Sequence, residues 1–282
     1  MPKPRLVGRI AEMQAACRLA RANAETIALV PTMGALHEGP LSLLAEGRRR
    51  ADLLVISIFV NPTQFGPHED FASYPRDLEG DLEKASAADI AFAPSVGEMY
   101  PTGFQTLVEV PDLSRELEGA HRPTHFRGVT TVVAKLLNIV RPHVAVFGEK
   151  DYQQLQVVRR MVQDLNFDTE ILGMPIVRDS DGMALSSRNA YLSPRERAQA
   201  TSLSRALFRA ETMFRKGERR VEALAAEMTA IISREPDARV DYVEVRRADD
   251  LAPLSEVTAP AVCLLAVRVG RTRLIDNCVL RP

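Results

Sequence analysis

The stretch Thr26-Ile27-Ala28-Leu29-Val30-Pro31-Thr32-Met33-Gly34-Ala35-Leu36-His37-Glu38-Gly39-Pro40-Leu41-Ser42-Leu43-Leu44 constrains this chain more than any other. Its apolar opening reads as a buried strand. The run stops at Pro31 and Gly34, and helix-like apolar spacing resumes at Leu41. A strand, a tight glycine turn and a helix start gather backbone N–H groups and the positive end of a helix at one point. That is the outline of a phosphate site. His37 at its lip adds an imidazole able to hydrogen-bond or carry charge. Neither the G-x-G-x-x-G fingerprint nor the G-x-x-x-x-G-K-[ST] P-loop is present. The competing reading of this stretch alone is that Gly34 and Gly39 only serve a turn.

The rest of the first half repeats the strand–helix alternation. Ile10–Asn23 has helical apolar spacing, Leu41–Arg50 should be a helix, and 52–60 is a continuous apolar run ending at Asn61-Pro62. A helix is expected over Asp77–Ala88, a strand over Asp89–Ala93, a helix over Val129–Val140, a strand over His143–Phe147 and a helix over Asp151–Asp164. Strands alternating with helices of about 10–15 residues imply βαβ units and a mostly parallel sheet. The expected fold class is α/β, a Rossmann-like doubly wound parallel sheet over residues 1–176. From 177 to 282 the pattern changes to a smaller α+β domain, expected to act as a lid. There, Ser193-Pro194-Arg195-Glu196 reads as a helix cap, and helices should run to about Lys216 and from about Arg219 to Ser233. Strands are expected at Val240–Val245, Val262–Val269 and Arg273–Val279, with Gly270 at a turn.

Composition narrows the function classes. With 36 basic and 37 acidic residues the net charge is −1, which gives no argument for a nucleic-acid or membrane partner. No apolar run approaches the roughly 20 residues that span a bilayer. Met1-Pro2-Lys3-Pro4-Arg5 leads into charged helical sequence without an apolar signal core. Cys17, Cys263 and Cys278 are odd in number and form no C-x-x-C pair, so a reducing cytoplasm is the expected compartment.

In an open parallel sheet, ligands sit at the carboxyl ends of the strands. The first such end carries Thr32, Met33, Gly34 and His37, and the next Asn61-Pro62-Thr63-Gln64-Phe65-Gly66. The strand ending at Phe147 leads into Gly148-Glu149-Lys150-Asp151-Tyr152-Gln153-Gln154. Three loops with imidazole, amide, amino and carboxylate groups would thus converge on one sheet edge. Lys150 at a helix start is disfavoured by the helix dipole unless an anion compensates, although a solvated lysine is the plainer reading. Asn61, Gln64 and Gln154 suit the hydroxyl and carboxylate groups of a small polar ligand, or else cap loops. Ile176–Asn189, with hydroxyls beside arginine, suits a phosphate-clamping flap and equally an interdomain linker. His121 and His125 are separated by Pro123, which argues against a metal pair on one helical face. His68 and His143 read as surface or strand-end residues.

Together these blocks resemble the pantothenate synthetases. The matching runs are Pro31-Thr32-Met33-Gly34-Ala35-Leu36-His37-Glu38-Gly39, Phe59-Val60-Asn61-Pro62-Thr63-Gln64-Phe65, Tyr74-Pro75-Arg76, His125-Phe126-Arg127-Gly128-Val129, Phe147-Gly148-Glu149-Lys150-Asp151-Tyr152-Gln153-Gln154 and Leu185-Ser186-Ser187-Arg188-Asn189-Ala190-Tyr191-Leu192. They keep family order across most of the chain. The resemblance implies an AMP-forming ligase that activates pantoate with ATP, aided by Mg2+, and passes the acyl group to β-alanine. It implies that Met33, Gly34, Ala35, Leu36, His37, Glu38, Gly39 and position 40 cradle ATP. It also implies that Gly148, Glu149, Lys150 and Asp151 line the nucleotide, that Val177 touches adenine, and that Leu185, Ser186, Ser187 and Arg188 close over the phosphates. His37, Lys150 and Arg188 would act in catalysis; Asn61, Gln64 and Gln154 would hold pantoate. The metal ligands are not identified, and a homodimer is implied.

One departure stands out. Where the family's H-x-G-H signature has its second histidine, this sequence has Pro40. Proline is tolerated in a first helical turn but supplies neither an imidazole nor an N–H. Slowed adenylation is therefore expected unless another group compensates, with His68 the only nearby histidine in sequence and no physical reason for it to reach. A nucleotidylyltransferase acting on another small substrate, or a relative that only binds ATP and pantoate, are the alternatives.

Overall fold

The computed structural model describes residues 2–67 and 69–282; His68 lies outside the described residues. The chain forms two compact units, one comprising the chain up to Glu149 with Gln153–Pro175, the other Lys150–Tyr152 with Ile176–Pro282. No helix among the described residues is long and apolar enough to cross a membrane.

The first unit runs β1 (Arg5–Val7), α1 (Ile10–Ala22), β2 (Ile27–Thr32), α2 (Glu38–Arg50), β3 (Leu53–Ile58), a single 3-10 turn (Pro62–Gln64), α3 (Leu78–Lys84) and β4 (Ile90–Phe92). It continues through α4 (Val96–Met99), α5 (Glu118–His121), α6 (His125–Val140), β5 (Val144–Gly148), α7 (Tyr152–Asp164) and β6 (Glu170–Met174). All six strands pair in parallel in the order β1-β4-β3-β2-β5-β6. Strand alternation explains the two helical layers. Ile27, Leu29, Val55, Phe92 and Ala145 point into one core with residues of α1, α6 and α7. Ala28, Val30, Leu54, Ile56 and Val146 point the other way, onto Leu43 and Leu44 of α2 and onto Ala85. Both faces are covered, which is why these strands read as continuous apolar runs. From β2 the chain builds outward through β3 and β4 on one side, then restarts with β5 on the other. The carboxyl ends of β2 and β5 therefore flank the topological switch point, where ligands of open α/β sheets bind.

Several boundaries differ from the sequence expectation, each for a local reason. Helix α2 starts at Glu38 rather than Leu41, because His37 caps it: the ring Nδ1 accepts from the Gly39 N–H at 3.1 Å. Pro40 is its third residue, where the N–H would have no intrahelical acceptor in any case. Helix α6 begins at His125, four residues before the expected Val129, and α3 is shorter than Asp77–Ala88. Strands β1 and β6 were not apparent from the sequence. β1 has three residues, with Leu6 half exposed, and β6 is an edge strand with no fully buried residue.

The second unit holds α8 (Pro194–Arg215), α9 (Val221–Ile232) and an antiparallel sheet of β7 (Ala238–Arg247), β8 (Ala261–Val269) and β9 (Thr272–Leu280) in that order. Ser193 forms a full capping box with Glu196, and Gly270, at φ 58°, turns β8 into β9. Leu203, Leu207, Leu224 and Met228 of the helices pack on Cys263, Leu265 and Val267 of the sheet. The segment 177–185 is an ordered hairpin, with Leu185 N–H on Val177 O and Asp179 N–H on Met183 O. Arg178 pairs with Asp276 at 2.7 Å and also donates to Gly182 O. Lys150 and Tyr152 join this unit through hydrogen bonds from Asn277 Nδ2 to Lys150 O and from Tyr152 Oη to Ala248 O, both 2.9 Å.

Candidate active site

The loop leaving β2 is held by a carboxylate that no sequence signal singles out. Gly34 (φ 84°) and Ala35 (φ 52°) both adopt left-handed backbone, which turns successive N–H groups toward α3. There Asp81, buried at 2% exposure, accepts from Ala35 N–H at 2.9 Å and from Leu36 N–H at 2.7 Å. A Cβ at position 34 would sit 2.6 Å from Asp81 Oδ2, so only glycine fits between the turn and the carboxylate. Lys84, one turn further along α3, donates to Leu36 O at 3.0 Å. Thr32 Oγ1 donates to Ser57 O and accepts from Gly34 N–H, tying the loop's root to β3. The amides of Ala35, Leu36 and Gly39 are thus engaged within the protein. What the loop offers an anion is the positive end of α2, with His37 at its cap.

The loop leaving β3 is built from side-chain amides. Asn61, 1% exposed, caps the 3-10 turn. Its Oδ1 accepts from Thr63 N–H (3.3 Å), Thr63 Oγ1 (2.9 Å) and Tyr100 Oη (2.8 Å). Its Nδ2 donates to Gly128 O (3.1 Å) and Gln64 Oε1 (3.2 Å). Gln64 Nε2 lies 3.1 Å from Met33 Sδ, which joins this loop to the one after β2. The first turn of α6 supports it from below. A Cβ on Gly128 would meet Thr63 O at 2.4 Å, and His125 Nδ1 lies 2.9 Å from Gln64 O.

A carbonyl can only accept, so His125 Nδ1 carries the proton and Nε2 accepts from Arg122 Nη1 at 3.2 Å. Arg122 also forms a two-pronged pair with Glu69, at 2.8 and 2.6 Å. Burial, reinforced by the Arg122 charge, lowers the His125 pKa from 6.5 to about 4. The imidazole is therefore neutral in the working range. His125 is held by Gln64 and Arg122, and no group of three His, Cys, Asp or Glu that could hold a metal occurs among the described residues. His143, at a strand end, accepts from Ile27 N–H.

The third loop follows β5, the neighbour of β2. Of two adjacent glutamines there, Gln153 is structural: it donates to Leu113 O and Glu116 O and accepts from Glu118 N–H. Gln154, half-buried on α7, has no such bonds among the described residues and remains the candidate ligand contact. Gly148 and Glu149 close this loop in the first unit, whereas Lys150 and Asp151 belong to the second. There Ser186 caps a 3-10 turn over Ser187–Tyr191 by accepting from Arg188 N–H. The first unit alone thus brings together Met33–Pro40, Asn61 and Gln64, while Val177, Leu185, Ser186, Ser187 and Arg188 are ordered within the second.

The chain matches the family model described as pantoate-beta-alanine ligase over residues 5–279. It belongs to the pantoate-beta-alanine ligase family. It is 57% identical over 278 residues to the pantothenate synthetase of Geobacter sulfurreducens, covering 98% of both chains. With that of Roseiflexus castenholzii it shares 55% over 278 residues, covering 98% of this chain and 99% of the relative. Among solved structures, the pantothenate synthetase of Thermus thermophilus superposes with a TM-score of 0.92 at 47% identity, covering 99% of this chain and all of that one. The pantoate-beta-alanine ligase of Francisella tularensis, solved with Beta-gamma ATP and Beta-alanine, gives 0.80 at 31% identity over 98% and 97% of the two chains. For pantoate-beta-alanine ligases the fold expectation therefore holds: a doubly wound parallel sheet with a second, smaller α+β unit.

Proposed function

We propose that this chain condenses pantoate with β-alanine to pantothenate at the expense of ATP. A carboxylate is a poor acylating agent because its oxygen leaves badly. Attack of the pantoate carboxylate oxygen on the α-phosphorus breaks the bond to pyrophosphate and gives pantoyl adenylate. The β-alanine amine then attacks the activated carbonyl, AMP departs and the amide forms with loss of a proton. The first step depends on stabilising phosphate charge more than on moving protons.

Residue roles follow from that demand. The capped N-terminus of α2 with His37, and the cations Lys150 and Arg188, stabilise phosphate charge; Ser186 and Ser187 add hydroxyl donors and Val177 its backbone. Lys150 has no ion-pair partner among the described residues, consistent with an anionic ligand. Gln64 and Gln154 hold pantoate. Mg2+ would neutralise phosphate charge when bound. Such an ion takes few protein ligands beside phosphate oxygens. The working form is read as a cytoplasmic homodimer, its second unit as a lid.

The observation that carries the proposal is the Gln64–Met33 contact, which sets an amide donor against the ATP-signature loop at the carboxyl ends of adjacent strands. The test is incubation with ATP, magnesium, pantoate and β-alanine, omitting each in turn. AMP should appear only with all four; ADP, or AMP independent of pantoate and β-alanine, sinks the reading. Pro40 is read as slowing the adenylation step.

A further inference from the structure

The hydrogen-bond directions behind Gln64 can be read without ambiguity, and they fix what it offers a substrate. Amide nitrogen and oxygen look alike, but two backbone groups settle Asn61. The Thr63 N–H, 3.3 Å from one atom, can only donate, so that atom is Oδ1. The Gly128 carbonyl, 3.1 Å from the other, can only accept, so that atom is Nδ2. The second hydrogen on Nδ2 points to Gln64, 3.2 Å away, which must answer with Oε1. Gln64 therefore turns its oxygen inward and its Nε2 toward Met33 Sδ, a weak acceptor at 3.1 Å that an oxygen would outcompete.

Tyr100 and Thr63 hydroxyls add two more donors to Asn61 Oδ1. Donors on the oxygen of an amide strengthen donation from its nitrogen, so the chain polarises in one direction. The two side-chain amides are enclosed, with Asn61 1% and Gln64 8% exposed, while Tyr100 is half-buried and Thr63 exposed. Gly128 allows it, because a side chain there would displace the Thr63–Gln64 backbone.

We propose that Asn61 and Tyr100 are positioning residues that make Gln64 an obligate N–H donor, so that it selects an oxygen acceptor on the substrate. Asn61 then acts through Gln64 and does not itself touch pantoate. This rests on the reading of Gln64 as a pantoate contact. Tyr100 has no place in any motif; its ring packs beside Phe59 and Phe104, and it enters the relay through its hydroxyl.

The test measures kcat and the KM of pantoate and of ATP separately in three variants, with thermal melting as the folding control. Tyr100→Phe removes one donor and should raise the pantoate KM roughly three- to tenfold, leaving the ATP KM within about twofold. Asn61→Asp puts an acceptor where Nδ2 was, turns Gln64 Nε2 inward, and should raise the pantoate KM roughly 10- to 100-fold. Gln64→Met, of similar size, should raise it at least as much. If Gln64→Met raises the pantoate KM while the other two leave it unchanged, the relay is overturned and the pantoate contact stands. An unchanged pantoate KM in Gln64→Met overturns both. Equal loss across both substrates in Tyr100→Phe marks a merely structural role and also overturns the relay. Should Asn61→Asp fail to fold, Tyr100→Phe decides alone.

Discussion

The loops leaving β2 and β3 lie side by side and are anchored in opposite ways. After β2, backbone amides of Ala35 and Leu36 converge on a side-chain carboxylate, Asp81. After β3, side-chain amides of Asn61 and Gln64 are oriented by backbone groups of Thr63 and Gly128. In the first loop much of the geometry is supplied from outside, with Gly34, the Thr32 hydroxyl and the His37 cap as the loop's own share. In the second, side-chain identity is the specification. Damage to the first should therefore surface in nucleotide handling, and damage to the second in handling of the organic acid.

The largest effect tests the first loop. Asp81→Ala leaves two amide N–H groups without their acceptor and should cost about 2–5 kcal/mol of stability, read by denaturant unfolding. The ATP KM should rise while that of pantoate stays near its starting value. A variant with unaltered melting and ATP KM would remove the contrast. Next comes Pro40→His, which restores an imidazole to the same loop. Pyrophosphate release should rise by up to ~100- to 1000-fold if that donor acts in the transition state. Unchanged release means the histidine is dispensable in this background.

The third prediction concerns pH and belongs to the second loop. The unfolded His125 imidazole takes up a proton near 6.5, the folded one only near 4. Protonation below 6.5 therefore favours the unfolded chain. Stability from this group is fully present above 6.5 and is lost as pH falls toward 4, by roughly 3 kcal/mol in total. Unfolding curves across that window should lose this slope in His125→Gln; an identical slope in the variant refutes the assignment. The smallest expected effect is that of Gly128→Ala. Its added methyl presses on the Thr63 carbonyl and should cost about 1–3 kcal/mol, with the pantoate KM rising and the ATP KM steady.

The same contrast explains what was legible in the sequence. Strands β2, β3 and β5 announced themselves as unbroken apolar runs because both sheet faces are covered, and Ser193–Glu196 because a capping box is local. Gln64 and the Met33–His37 turn followed from strand ends and family motifs. Asp81 was silent, since an acid on a solvent-flanked helix looks like any other until the chain folds it against a distant turn. Tyr100 and Gly128 were likewise silent in role, although Gly128 sits in a recognisable run. Gln153 and Gln154 are indistinguishable as letters, and only the carbonyls of Leu113 and Glu116 separate them. The starts of α2 and α6 were missed because a histidine cap and a glycine in the first turn are weak helix signals.

Ala35 holds a conformation that an L-residue with a methyl group visits reluctantly, at about 1–2 kcal/mol. A loop kept there behaves like a set spring: if its latch opens, it relaxes into ordinary backbone geometry and the turn is dismantled. Mutation to glycine at this position would slacken the spring, easing the bend while widening the range of shapes the open loop explores. The alanine methyl thus narrows the range of shapes the turn could explore once its carboxylate latch is lost.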